Sequence, residues 1–69
     1  MRTIEITEEA ANALRYTRLT NPYTLPGEQW MVDNVCADMR RGGIDHAIVR
    51  DRNTVTVWRK TKRAMAGAV

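Results

Sequence analysis

The stretch IDHAIVRDRNTVTVW, residues 44–58, decides the fold. It contains β-branched residues at 48–49 and at 55–57, on either side of the segment Asp-Arg-Asn-Thr at 51–54. β-branched residues favour strands, and a short polar segment between two such runs is typical of a turn. The sequence therefore predicts a β-hairpin, and Asn53 is the turn residue expected to adopt a positive φ.

The segment before the hairpin, residues 28–41, has the spacing of an amphipathic helix. Two arginines in its last turn suit the negative end of the helix dipole, and Gly42-Gly43 provides a left-handed stop. We expect this helix to supply most of the core, with Cys36 as a small buried hydrophobe. Trp30 stands at its start, where a core anchor is favoured over a residue that stacks on a base. Its apolar stripe consists of Met31, Val32, Val35, Cys36 and Met39.

The amino-terminal part of the chain predicts a strand followed by a helix. Residues 2–6 alternate between polar and apolar types, which is typical of a half-buried strand with Ile4 and Ile6 on one face. Thr7 can cap a helix whose first turn holds two glutamates. A loop at 20–27 then leads to the second helix. The stripe expected to face inward on the first helix is Ala10, Ala13, Leu14 and Thr17.

These elements predict an α+β fold of order β-α-α-β-β, with a three-stranded antiparallel sheet and both helices packed on one of its faces. The 69 residues have room for one domain, which we place at 1–59, followed by a basic and flexible tail at 60–69. Leucine, isoleucine and valine together contribute only 13 residues, and phenylalanine is absent. Because so thin a core gains from further burial, we expect a homodimer.

The run from Ile4 to Leu14 resembles the opening of ribbon-helix-helix antitoxins and repressors. The resemblance implies a short strand that pairs across a dimer and enters the DNA major groove, with Arg2, Thr3 and Glu5 placed for base contacts. It covers about a dozen residues and leaves the hairpin at 44–58 unexplained. The α+β arrangement therefore remains the expected fold.

Positive charge is concentrated in the second half of the chain. The net charge is +3, but residues 1–39 carry −3 and residues 40–69 carry +6. A basic surface of this kind attracts phosphates or an acidic protein surface. The residues expected to contact nucleic acid or such a partner are Arg40, Arg41, Arg50, Arg52, Trp58, Arg59, Lys60, Lys62 and Arg63.

Two roles are open for Trp58. An indole beside a basic run can stack on an unpaired base, and it can also pack across the hairpin, opposite Ala47 or Ile48. Packing is the favoured interpretation. The function expected from the basic hairpin and tail is non-enzymatic nucleic-acid binding of the kind a small regulator performs. The alternative is an inhibitor or adaptor, of the size that phages and mobile elements encode, which binds a host protein.

Residues for catalysis or metal binding are scarce. The chain has one cysteine, one histidine and no serine, so we expect no enzyme activity, no cofactor, no metal and no small-molecule substrate. His46 is expected at the surface or at the sheet rim. A lone Cys36 and the lack of a long apolar run favour a cytoplasmic protein without a membrane span.

Overall fold

Residues 2–60 are described by the structure, a computed structural model, and they form two helices and five strands. In chain order these elements are β1 (Ile4–Glu5), α1 (Glu8–Ala13), β2 (Tyr16–Arg18), β3 (Tyr23–Thr24), α2 (Gln29–Arg41), β4 (His46–Asp51) and β5 (Thr54–Lys60). The predicted tail lies outside the described residues, except for Lys60, which ends β5.

The five strands form one mixed sheet of order β1-β4-β5-β2, and β3 also pairs with β5. The α+β class and the β4–β5 hairpin are confirmed, but the predicted three-stranded antiparallel sheet is wrong. β1 runs parallel to β4, with Ile4 opposite Ala47, so it pairs within this chain. A parallel neighbour needs a long connection, which here is the whole segment between β1 and β4.

The two additional strands come from segments that were predicted as helix and loop. α1 ends at Ala13, and Arg15 then adopts a φ of 68°, which turns the chain into β2. Leu14 is consequently 48% exposed, and Thr17 lies in β2 opposite Arg59. Pairing with β5 therefore outweighs the weak helical stripe, which had only one large apolar residue.

β3 lies inside the predicted loop at 20–27. Tyr23 pairs with Val55, and the backbone N–H of Leu25 donates to the carbonyl of Asn53 at 2.7 Å. The Tyr23 and Leu25 side chains pack against the core. These contacts are made with the hairpin, which is distant in sequence. Local turn residues therefore predict only a loop for this segment.

The two helices pack on opposite faces of the sheet, contrary to the prediction. Side chains alternate along β5, so Val55 and Val57 join a cluster with Val32 and Cys36 of α2. Trp58 points the other way, where Val49 and Ala11 of α1 complete a second cluster. The thin core is thus divided into two layers, and the short α1 is enough to cover the smaller one.

The local signals of α2 and of the hairpin turn are confirmed with one exception in each. Gly43 adopts a φ of 66° after the helix, as a left-handed stop requires, and Cys36 is buried. Trp30, however, is 57% exposed rather than a core anchor, because it lies on the outer side of α2, away from the buried Val32 and Cys36. In the hairpin turn Arg52, not Asn53, has the positive φ, at 60°.

Candidate nucleic-acid interface

The predicted basic residues fall at the two ends of the β4–β5 hairpin. We call one end the His46 end, with Arg40, Arg41, Arg59 and Lys60, and the other the turn end, with Arg50 and Arg52. At about 3.3 Å per strand residue, β4 separates the two ends by about 17 Å. Lys62 and Arg63 lie outside the described residues.

A chain of hydrogen bonds fixes Arg40 at the His46 end. Its guanidinium Nη1 donates to Oγ1 of Thr3 at 2.8 Å, and that oxygen lies 2.7 Å from Nε2 of His46. The other ring nitrogen, Nδ1, lies 2.9 Å from the carbonyl oxygen of Ile44. A carbonyl only accepts, so Nδ1 carries the proton, and a neutral imidazole then accepts at Nε2 from the Thr3 hydroxyl. These contacts assign one consistent role to each group.

His46 is buried, with 2% of its surface exposed, so the expected surface or rim position is wrong. It begins β4, and β1 pairs alongside that strand. The Arg40 side chain of α2 reaches the same place through Thr3. Hydrophobic periodicity does not show that the chain before β1 returns to this point. Sequence reasoning therefore missed the contact between Thr3 and His46, because it considered Thr3 only for base contacts and His46 only for a surface or rim position.

The thiol of Cys36 faces the same hydroxyl from α2. Burial raises the pKa of this thiol above its ordinary value of 9.0, and Asp33 acts in the same direction. Contact with the Thr3 hydroxyl and the positive charge of Arg40 partly oppose the increase. Cys36 therefore stays a neutral thiol at physiological pH, and Thr3 lies at the centre of a polar cluster.

The other cations of the His46 end differ in their surroundings. Arg59 is exposed, and it lies opposite His46 on the sheet face that α2 covers. Within residues 2–60, neither Arg40 nor Arg59 forms an ion pair with a carboxylate. Arg41 pairs with the carboxylate of Asp38, and the ammonium of Lys60 lies 5.1 Å from the ring centroid of Tyr16. The structure therefore brings to one end of the sheet two guanidinium groups that have no carboxylate partner within residues 2–60.

At the turn end, Arg50 is already engaged by an acidic residue. Its Nε lies 3.5 Å from a carboxylate oxygen of Glu5. Arg52 occupies the turn itself and is exposed. Its neighbour Asp51 is also exposed. The positive charge of Arg50 is therefore partly cancelled by Glu5.

Trp58 packs across the hairpin opposite Ala47, which confirms the favoured interpretation of this residue. Only 6% of its surface is exposed, and its indole N–H donates to Oγ1 of Thr56 at 2.8 Å. A buried ring offers no face on which a base could stack. Trp58 therefore supports the hairpin, and we omit it from the interface.

A shallow groove of about 150 Å³ lies on the other face of the sheet, near the turn end. It combines carboxylates, a guanidinium and threonine hydroxyls, so it has no single charge character. The lining residues are Glu8, Arg18, Pro22, Val49, Asp51, Thr54, Thr56 and Trp58. In the described part of the chain, no cluster of three or more histidine, cysteine, aspartate or glutamate side chains could hold a metal ion.

Comparison of the chain with protein-family models, curated proteins and solved structures found no match. Within residues 2–60, neither helix is long and apolar enough to cross a membrane. The assignment of the candidate interface therefore rests on the geometry and charge of the described residues.

Proposed function

We propose that the protein binds nucleic acid through the phosphate backbone, with Arg40 and Arg59 of the His46 end as the main contacts. The observation that carries the proposal is that Arg40 of α2 and Arg59 of β5 lie at the same end of the hairpin and that neither has a carboxylate partner in the described residues. Guanidinium groups bind phosphate oxygens through several N–H donors in a planar fork. Such contacts give affinity without reading the base sequence.

Further basic residues of the sequence also favour the His46 end as the binding site. β5 ends at Lys60, and Lys62 and Arg63 follow it in the sequence after Thr61. The turn end contributes less, because Glu5 already pairs with Arg50. We therefore propose binding that depends on salt, is concentrated at the His46 end and involves no enzymatic step.

A pair of double variants tests this proposal. The first variant carries Arg40→Gln and Arg59→Gln, and the second carries Arg50→Gln and Arg52→Gln. Each removes two positive charges, from opposite ends of the hairpin. A charge-assisted hydrogen bond contributes about 1.5 kcal/mol, or roughly tenfold in affinity, so the first variant should bind about 100-fold more weakly. The second should lose less than about fivefold, because Arg50 starts from an ion pair.

Fluorescence anisotropy with labelled duplex DNA, single-stranded DNA and RNA at about 50 and 200 mM salt measures these losses. The slope of log affinity against log salt concentration should fall by about 2 in the first variant, as expected for the loss of two phosphate contacts. Circular dichroism and thermal unfolding check that both variants fold. Equal losses in the two variants would reject the His46 end, and absence of binding by the wild type at either salt concentration would reject the function.

A second candidate function is docking on a partner protein, and exposed Trp30 favours it. Trp30 has more than half of its surface in solvent, on the outer side of α2. Tryptophan is enriched among residues that dominate protein interfaces. If this function holds, Trp30→Ala should abolish capture of a specific protein that the Arg40→Gln, Arg59→Gln variant still captures. Capture that survives Trp30→Ala contradicts it.

We also propose the homodimer that the small core led us to expect. Besides Trp30, the large apolar residues Leu14 and Leu19 are exposed in the monomer. Light scattering across a tenfold dilution tests this proposal. A dimeric mass that falls on dilution supports it, and a monomeric mass throughout contradicts it.

A further inference from the structure

We propose that Thr3 and His46 are positioning residues that anchor Arg40 for phosphate binding without neutralising its charge. This inference rests on the proposed function, and it explains how one guanidinium of that site is held. It assigns a role to the one histidine of the chain, which the basic interface does not otherwise use.

The ring nitrogens of His46 determine the direction of the hydrogen bonds in this network. Nδ1 of His46 donates to the carbonyl of Ile44, so only the lone pair at Nε2 is free to accept. The Thr3 hydroxyl therefore points its hydrogen at the ring, 2.7 Å away. Its lone pairs then face the other two neighbours of the hydroxyl, the Arg40 guanidinium and the Cys36 thiol. The buried imidazole thus orients an acceptor that would otherwise rotate.

The charge of the hydrogen-bond partner distinguishes Arg40 from Arg50. The partner of Arg40 is a neutral hydroxyl, whereas the partner of Arg50 is the carboxylate of Glu5. A hydroxyl accepts a hydrogen bond and leaves the full positive charge in place, but a carboxylate cancels most of it at a distance. Arg40 has five N–H donors, and the contact with Thr3 occupies one of them. The others remain for a phosphate.

Conformational entropy also favours an anchored Arg40. Ordering a long side chain on binding lowers affinity, and a side chain that is already held avoids that loss. Arg40 is exposed, yet its tip is tied to β4 through two consecutive hydrogen bonds. The network therefore prepares the guanidinium before the phosphate arrives.

The test compares Thr3→Val, which removes the hydroxyl at nearly constant volume, with Thr3→Ser, which keeps it. Thr3→Val should weaken binding of a labelled duplex DNA by about three- to tenfold, and Thr3→Ser should stay within about twofold of the wild type. In an Arg40→Gln background, Thr3→Val should have no further effect, since the group that it positions is gone. A merely structural role would lower affinity in both backgrounds.

NMR of the unbound wild-type protein gives a second measurement that does not depend on any variant. The guanidinium N–H signals of Arg40 should show restricted rotation and slow exchange, whereas those of Arg59 should average rapidly. Rapid averaging at Arg40 overturns the inference even if the protein binds DNA. Equal affinities of Thr3→Val and the wild type also overturn it, and they leave the proposed function standing. If the wild type binds no DNA, the proposed function fails and the role in phosphate binding fails with it, whatever the NMR shows.

Discussion

At the His46 end of the hairpin, Arg40 donates to a threonine hydroxyl, whereas at the turn end Arg50 lies beside the carboxylate of Glu5. Both arginines are exposed, and both belong to the same basic half of the sequence. Their electrostatic availability nevertheless differs, because Thr3, just before β1, gives Arg40 a neutral partner, whereas Glu5 in β1 gives Arg50 an acidic one. The number of basic residues is therefore a poor measure of the positive charge that a polyanion meets.

Of the variants that separate the two ends, His46→Ala should have the largest effect, on the free energy of unfolding. It removes a buried side chain and leaves the Ile44 carbonyl and the Thr3 hydroxyl without their partner. We expect the free energy of unfolding to fall by about 3 kcal/mol in a urea titration. Arg52→Ala, at the exposed turn end, should change it by no more than about 0.5 kcal/mol. Similar changes in the two variants would show that the hydrogen bonds of His46 contribute no more to stability than the exposed turn end does.

A smaller effect should come from Cys36, which adjoins the same network. Its pKa is raised in the folded protein, so on going to high pH the unfolded chain loses the thiol proton first. The unfolded state then gains stability, and folding stability falls as the pH rises above about 9. We expect the melting temperature of the wild type to drop more between pH 8 and pH 10 than that of Cys36→Ala. Equal drops would contradict the raised pKa.

The smallest effect should be the change in DNA affinity when Arg50 loses its carboxylate partner, Glu5. Glu5→Gln removes the carboxylate beside Arg50, and surface ion pairs contribute at most about 1 kcal/mol, so DNA affinity should rise about two- to threefold. Glu9→Gln changes the net charge equally, on the exposed surface of α1, and serves as the control. An equal increase in both variants would mean that net charge alone, and not the Glu5–Arg50 pair, separates the two ends.

Local patterns predicted the parts of the fold whose causes are local. The hairpin, α2, the Thr7 cap and the Gly43 stop each depend on residues that are close in sequence, and each is present. The strands β2 and β3 depend instead on pairing with β5, so their own segments carry little signal. The division of the helices between two faces follows from the same long-range pairing.

The candidate site shows the same limit. Composition identified the basic residues, but it could not show which of them are neutralised. Thr3 reaches Arg40 across 37 positions of sequence and His46 across 43. A contact of that kind depends on where β1 docks, and neither its alternating pattern nor its resemblance to ribbon-helix-helix proteins indicates pairing with β4.

The parallel pairing of β1 also sets an order of assembly. The β4–β5 hairpin closes over a two-residue turn, whereas β1 must bridge most of the chain to reach β4, so it should dock after the hairpin has formed. β1 is two residues long and lies at the sheet edge, so it should also be among the first parts to open. Amide hydrogen exchange should then be faster at Ile6, which donates to the carbonyl of Ile48, than in the middle of β5. The anchor of Arg40 is therefore acquired last and lost first, because it forms only when the chain around Thr3 has docked beside β4.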